Sequence, residues 1–419
     1  MAATPARPPS AGADGAAAPV SGGERLFALD VLRGFALLGI LCVNMAFFAM
    51  PAIADPDFAA RQFPGLADTA ARWAVAALAE GKFYPLLSLL FGYGFAVQMA
   101  RGGESGRRRY ARRLLALLVL GVAHALLLWA GDILATYAAV GAILLLFAGS
   151  EPRTLLRWAA GLVLVPAALV GLLVAALSRA GPGSSFGSAQ QVEIDFRDAG
   201  ERALAVYGEG SYRQIVDERL IELTQVVPLI LFVQAPVVLA MFLIGSWAGR
   251  RGVLAQPGAN RGLLVRVLRY GLIVGVPGNL LFAALQQGAA SAASPAYLGA
   301  FGLLYVTGPA LALAYGAGLA LLAQDERWRA RLTPLATVGR LALTNYILQS
   351  LIATTIFYSY GLGLFGQLGS GVLLTLCLAI FALQVLISGL WLKRFRFGPL
   401  EWLLRSFTYL RRQSLRAGA

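Results

Sequence analysis

The stretch Leu114-Leu-Ala-Leu-Leu-Val-Leu-Gly-Val-Ala-His124-Ala-Leu-Leu-Leu-Trp129 decides how the rest of the chain is read. It is an apolar run of the kind that crosses the roughly 30 Å hydrocarbon core of a bilayer as a helix. In its middle sits the one histidine of the chain, and Asp132 follows eight residues later at the same end of the run. Ionisable groups inside or beside a membrane are costly to keep, so His124 and Asp132 are functional candidates.

Working outward, the composition fits that reading. Hydrophobic residues make up 58% of the chain and charged residues 13%, with a mean hydropathy of +0.70; soluble domains carry about 25% charged residues. Similar apolar runs recur near 30–50, 83–100, 112–130, 132–149, 154–178, 226–249, 264–286, 297–323, 336–358 and 370–392. So many cannot all be buried core helices of a soluble domain. The expected fold class is all-α, a polytopic transmembrane helical bundle of about ten spans.

Charge orients the bundle, because cytoplasmic loops collect Lys and Arg. The links at 101–113, 151–157, 250–269 and 325–340 and the tail from Lys393 are rich in arginine, and with ten spans all fall on one side. The links at 131–132, 287–296 and 359–369 hold no Lys or Arg. Both termini are therefore expected in the cytoplasm. The net charge of +14 is the sum of these inside loops. Attraction to anionic headgroups accounts for it, and no nucleic-acid motif accompanies it.

Residues 1–24 are rich in Ala, Pro, Gly and Ser and read as a disordered cytosolic leader without signal-peptide features. Spans one to five form an N-terminal half over 25–178, and 226–410 forms a C-terminal half. Between them, 179–225 is a hydrophilic insertion, expected to be a partly helical extracytoplasmic cap that opens with the turn-like Gly181-Pro-Gly-Ser-Ser-Phe-Gly-Ser188. Cys42 and Cys377 lie in predicted spans and read as packing residues, with no metal or disulfide pattern. A lone histidine does not make a zinc site.

Several polar residues fall within or beside the spans. Asp30 and Arg33 are three apart on one helix face at the cytoplasmic boundary, where an arginine can also grip a phosphate. Asn44 lies about three turns deeper near the same face. Glu80 and Lys82 open the second span from the side on which His124 and Asp132 are expected, so four ionisable groups converge near one leaflet. His124 suits a base that takes a proton from a hydroxyl or amine, or a nucleophile that briefly holds an acyl group, with Asp132 or Glu80 orienting it. Contact with Asp132 requires a break at Gly131 or a water. Thr344, Asn345, Gln349 and Ser350 form a polar stripe that either lines a channel or stitches helices together. After Gly398-Pro399 a basic amphipathic tail is suited to the inner leaflet.

Five ordered blocks carry a resemblance: Arg25 to Asn44 with Asp30-Val-Leu-Arg33-Gly34, Leu90-Phe-Gly-Tyr-Gly94, Gly121-Val-Ala-His124 with Gly131-Asp132, Gly339-Arg340-Leu-Ala-Leu-Thr344-Asn345-Tyr346, and Gly398-Pro-Leu-Glu-Trp402. Over about 25–410 they resemble the YeiB family of bacterial inner-membrane proteins, whose C-terminal part is a domain without an assigned function. That family is distantly similar to membrane acetyltransferases typified by heparan-α-glucosaminide N-acetyltransferase. The resemblance implies acyl transfer from cytoplasmic acyl-CoA, acetyl-CoA foremost, to an acceptor across the membrane. Arg33, beside Asp30, and Arg340 would meet CoA phosphates, and His124 would do the chemistry. Asn44, Lys82, Asn345 and Gln349 are the candidate acceptor contacts, and the acceptor is a small molecule, lipid or glycan. The rival is a proton-coupled transporter or permease built on Glu80, Lys82, His124 and Asp132. Besides the lipid bilayer, a homo-oligomer is left open as a partner.

Overall fold

The computed structural model describes residues 27–180, 189–289 and 294–416. The leader 1–24 and the turn-like 181–188 lie outside the described residues. Fifteen α-helices, and no named strand, are found among those described. The first is α1 (Phe27–Ala49), then α2 (Phe58–Gln62), α3 (Leu66–Leu78), α4 (Phe83–Leu127), α5 (Leu134–Leu144) and α6 (Pro152–Ala180). They continue with α7 (Ala189–Glu209), α8 (Tyr212–Ile221), α9 (Val227–Arg250), α10 (Arg261–Gln287) and α11 (Pro295–Leu322). The chain closes with α12 (Glu326–Arg340), α13 (Ala342–Phe357), α14 (Ser370–Leu392) and α15 (Pro399–Tyr409).

Helical backbone runs through all 45 residues of α4, which would measure about 68 Å if straight. It doubles back instead. The rings of Phe95 and Tyr110 meet at 4.8 Å and the Arg113 guanidinium lies 4.9 Å from the Phe91 ring. The Gln98 carbonyl also stands against Gly106. The arms are therefore two antiparallel spans joined by a tight turn in the arginine-rich link.

Among the described residues eight segments are long and apolar enough to cross a membrane, against the ten comparable spans expected. The fourth and ninth are shorter apolar helices, Leu134–Phe147 and Ala342–Phe357. Irregular backbone before Leu134 shortens the first of these, and a break at Leu341 (φ −112°, ψ 35°) separates α12 from α13 where one span was expected. Side chains meet some of the backbone groups left over at both ends of that break. Asn345 Nδ2 donates to the Val338 carbonyl at 3.2 Å, and Glu401 Oε1 accepts from the amides of Leu343 and Thr344 at 2.6 and 3.1 Å. The tail does more than lie beside the bundle, because α15 packs against α4 and α13. In contrast, α10 runs unbroken through Gly275-Val-Pro277-Gly278, so that segment is not a helix break.

Small residues let the helices approach, as expected where lipid offers no hydrophobic drive to associate. Gly271 and Gly275 of α10 face Ala314 and Leu311 of α11, and Asn279 Nδ2 bridges the Gly275 and Thr307 carbonyls at 2.7 and 2.9 Å. On α9, Gly245 and Gly249 lie against the backbone of Leu89 and Tyr93. α1 is the central helix, packed on α4, α11, α12, α13 and α14. At its start the backbones of α1 and α12 nearly touch: a Cβ on Gly34 would run into the Leu335 carbonyl, and one on Gly339 into the Asp30 carbonyl. α6 lies at the rim, with no buried residue in its most apolar window. At the bundle end where α4 finishes, Tyr212 Oη and Arg219 Nη1 of α8 donate to the Leu127 and Leu126 carbonyls.

Candidate functional site

The second arm of α4 ends at Leu127. Residues 128–133 then leave the helix, because the chain must return along α5 in the opposite direction. This early exit swings Asp132 back beside the last turn of α4. His124 Nδ1 lies 2.8 Å from Asp132 Oδ1, and both side chains are buried, at 1% and 2% exposure. The contact is direct, and the helix already ends before Gly131. The second carboxylate oxygen accepts from the Ala135 amide at 2.7 Å, at the start of α5. That amide is one of the donors a helix leaves without an internal partner, so the carboxylate is fixed at both oxygens.

The other face of the imidazole meets α13. His124 Nε2 lies 2.9 Å from Ser350 Oγ, and Ser350 is 1% exposed. With Asp132 accepting from Nδ1–H, Nε2 is the bare nitrogen and the serine hydroxyl donates to it. The ring of Tyr346, one turn before Ser350, lies 5.3 Å from the imidazole, and its hydroxyl accepts from the Ile133 amide at 3.4 Å. Carboxylate, imidazole and hydroxyl thus stand in line, an arrangement able to draw a proton off the hydroxyl oxygen.

A cavity of about 160 Å³ adjoins this line. Asp132, Ile133 and Tyr346 form one wall, α1 supplies Ile40, Asn44 and Phe47, and Gly81 and Tyr84 close another side. Asn44 is the expected acceptor contact that faces this space.

Glu80 and Lys82 are not drawn into the same cluster. Glu80 accepts from Gln286 Nε2 at 3.1 and 3.2 Å, while Lys82 Nζ donates to the Ala76 carbonyl at 2.6 Å and lies over the Phe282 ring. Both side chains therefore turn toward α3 and α10. The polar stripe of α13 divides among three partners. Asn345 Nδ2 reaches Ser388 and Gln349 Nε2 reaches Gln384, both on α14, at 3.0 and 2.9 Å. Thr344 Oγ1 donates to Glu401 at 2.6 Å. Ser350 alone of the four meets the histidine.

At the opposite end of α1, Arg33 Nη1 donates to Asp30 at 3.1 Å. The Gly34 and Gly339 crossing sets Arg340, the last residue of α12, beside this pair. Arg33 keeps about a third of its side chain exposed. Cys42 and Cys377, read as separate packing residues, touch across α1 and α14 with Sγ atoms 3.1 Å apart. Sequence reasoning did not find the role of Ser350 or Tyr346. Their four-residue spacing, placing both on one face of α13, was the available signal.

Comparison with known proteins gives a consistent family. Residues 248–411 match the family model described as "Protein of unknown function (DUF418)". The chain is 35% identical over 406 residues to the "Uncharacterized protein YxaH" of Bacillus subtilis (strain 168), covering 92% of this chain and 95% of that one. It is 33% identical over 402 residues to the "Uncharacterized protein YeiB" of Escherichia coli (strain K12), covering 92% and 96%. A Bacillus acidopullulyticus relative, "Uncharacterized 39.9 kDa protein in amylase 3'region", is 30% identical over 403 residues, covering 94% and 96%. With nearly the whole chain aligned and eight apolar helices long enough to span a bilayer, the protein is a multi-pass helical membrane protein belonging to the YeiB family.

Proposed function

We propose that this protein is a membrane-embedded acyltransferase, moving an acetyl or other acyl group from acyl-CoA to a hydroxyl or amine of a small molecule, lipid or glycan. The observation that carries the reading is the imidazole of His124, held at 2.8 Å by Asp132 on one nitrogen and set 2.9 Å from a hydroxyl on the other. That is the geometry of a base aimed at an oxygen nucleophile, inside a water-poor bundle where proton transfer needs a fixed partner. In this reading the termini and arginine-rich links face the cytoplasm of a bacterium, as the charge bias directs. Arg33 and Arg340 then receive CoA phosphates at the inner face. From Arg33 to Asn44 is about 16 Å of helix rise, a distance an extended pantetheine arm covers, so a thioester can arrive at the cavity wall.

The permease reading rested on four charges meeting near one end. With Glu80 on Gln286 and Lys82 on a backbone carbonyl, that cluster loses two of its members.

The test is acyl-CoA binding and turnover by the purified protein, wild type beside Arg33→Ala and His124→Ala. Saturable binding lost with Arg33→Ala, and turnover lost with His124→Ala while binding persists, is the expected result. Turnover at the wild-type rate in His124→Ala would overturn the mechanism, and substrate flux in proteoliposomes lacking acyl-CoA would favour a transporter.

A further inference from the structure

We propose that Ser350 carries the acyl group between donor and acceptor, so that transfer proceeds through a seryl ester; this rests on the acyltransferase reading above. The base has two ring nitrogens, and both are engaged. Nδ1 is held by Asp132 and Nε2 faces Ser350 Oγ at 2.9 Å. An external acceptor hydroxyl would have to displace Ser350 to reach the base. The hydroxyl already in place is the one His124 is set to deprotonate. Its neighbours Asn345 and Gln349 are bonded to α14, whereas Ser350 Oγ meets the imidazole. Tyr346, one turn away on the same helix face, lines the cavity and lies against the imidazole.

The chemistry balances in two steps. Ser350 Oγ attacks the thioester carbonyl as its proton passes to His124 Nε2, the C–S bond breaks, and that proton leaves with the CoA thiol. An acceptor hydroxyl or amine then attacks the seryl ester, giving its proton to His124, and the proton returns to Ser350 Oγ as the ester bond breaks. Asp132 stabilises the imidazolium in both steps.

The experiment incubates the full chain in detergent or nanodiscs with radiolabelled acetyl-CoA and no acceptor, followed by acid quench, proteolysis and peptide mass mapping. The expected result is one acetyl group on the Ser350 peptide, absent in Ser350→Ala and His124→Ala. Turnover in Ser350→Ala should fall on the order of a thousandfold. Acetyl-CoA consumption by wild type without an adduct, with Ser350→Ala equally active, overturns the carrier while leaving the transferase standing. Where wild type consumes no acetyl-CoA, the CoA reading fails and a fluorophosphonate probe decides for Ser350 by itself. Labelling at Ser350 that disappears in His124→Ala supports an activated serine served by another acyl donor, and absence of labelling overturns it.

Discussion

His124 Nδ1 and Asp132 Oδ1 lie 2.8 Å apart although the residues between them leave the helix. On a continuous helix the two positions would be about 12 Å apart along the axis. The contact therefore exists only because α4 stops at Leu127 and the Ala135 amide holds the second carboxylate oxygen.

Asp132→Asn keeps the size of the side chain and removes the charge that orients and stabilises the imidazolium. We expect acyl transfer to fall by about two to four orders of magnitude, with acyl-CoA binding retained. Single-turnover kinetics beside equilibrium binding checks this, and an equal loss in both would indicate a damaged fold.

The α1 and α12 crossing is the tightest helix contact near the arginine pair. Gly339→Ala places a methyl group against the Asp30 carbonyl, and overpacking of this kind costs about 1–3 kcal/mol. We expect a lowered unfolding temperature and weaker acyl-CoA binding together, because Arg33 and Arg340 are moved apart. Gly149→Ala, whose added methyl meets nothing within 4 Å, is the control and should leave both unchanged.

Glu401 fastens the tail to the start of α13, and Thr344 Oγ1 returns the contact by accepting from the Leu400 amide at 3.2 Å. Glu401→Ala leaves the Leu343 and Thr344 amides without this partner, and lost caps cost about 0.5–2 kcal/mol. Faster proteolysis between α14 and α15, measured at constant temperature, is the expected sign.

Glu222, in the π turn that joins α8 to α9, accepts from Tyr207 Oη at 2.9 Å. Burial raises its carboxyl from the ordinary 4.5 to about 7, with Glu218 also raising it and the Tyr207 hydroxyl and Arg219 pulling it down. The folded protein thus holds this proton more tightly than the unfolded chain. Its contribution to stability is complete below about pH 4.5, declines as pH rises toward 7, and stays lost above that. Glu222→Gln should flatten the dependence, raising the unfolding temperature at pH 8 relative to wild type and leaving it nearly level at pH 4. An unchanged pH profile in the variant would refute the assignment.

Much of the bundle was legible because lipid imposes one demand on every span. Helical backbone must satisfy itself, and apolar length is what remains to be read. The His124 and Asp132 pair was visible for the same reason, since a charge in an apolar run stands out. What the sequence concealed was which way polar residues turn. Thr344, Asn345, Gln349 and Ser350 read as one stripe, yet a rotation of about 100° per residue sends Asn345 and Gln349 to α14 and Thr344 to Glu401, while Ser350 faces the histidine. Glu80 and Lys82 were likewise close in sequence to the cavity wall, and only the packing of α10 shows that their side chains turn away from it. The break at Leu341 needed knowledge of Glu401, 60 residues downstream in the chain.

The clasp between Glu401 and α13 also sets an order of assembly. During synthesis, Ser350 leaves the ribosome well before the residues that cap its own helix. Until Glu401 arrives, the first amides of α13 have no carboxylate to meet. A chain stalled before Pro399 therefore holds every member of the His124 line without the fastening that seats α13. The seating of α13 beside His124 thus draws on α15, a helix made well after it, as well as on its bonds to α14.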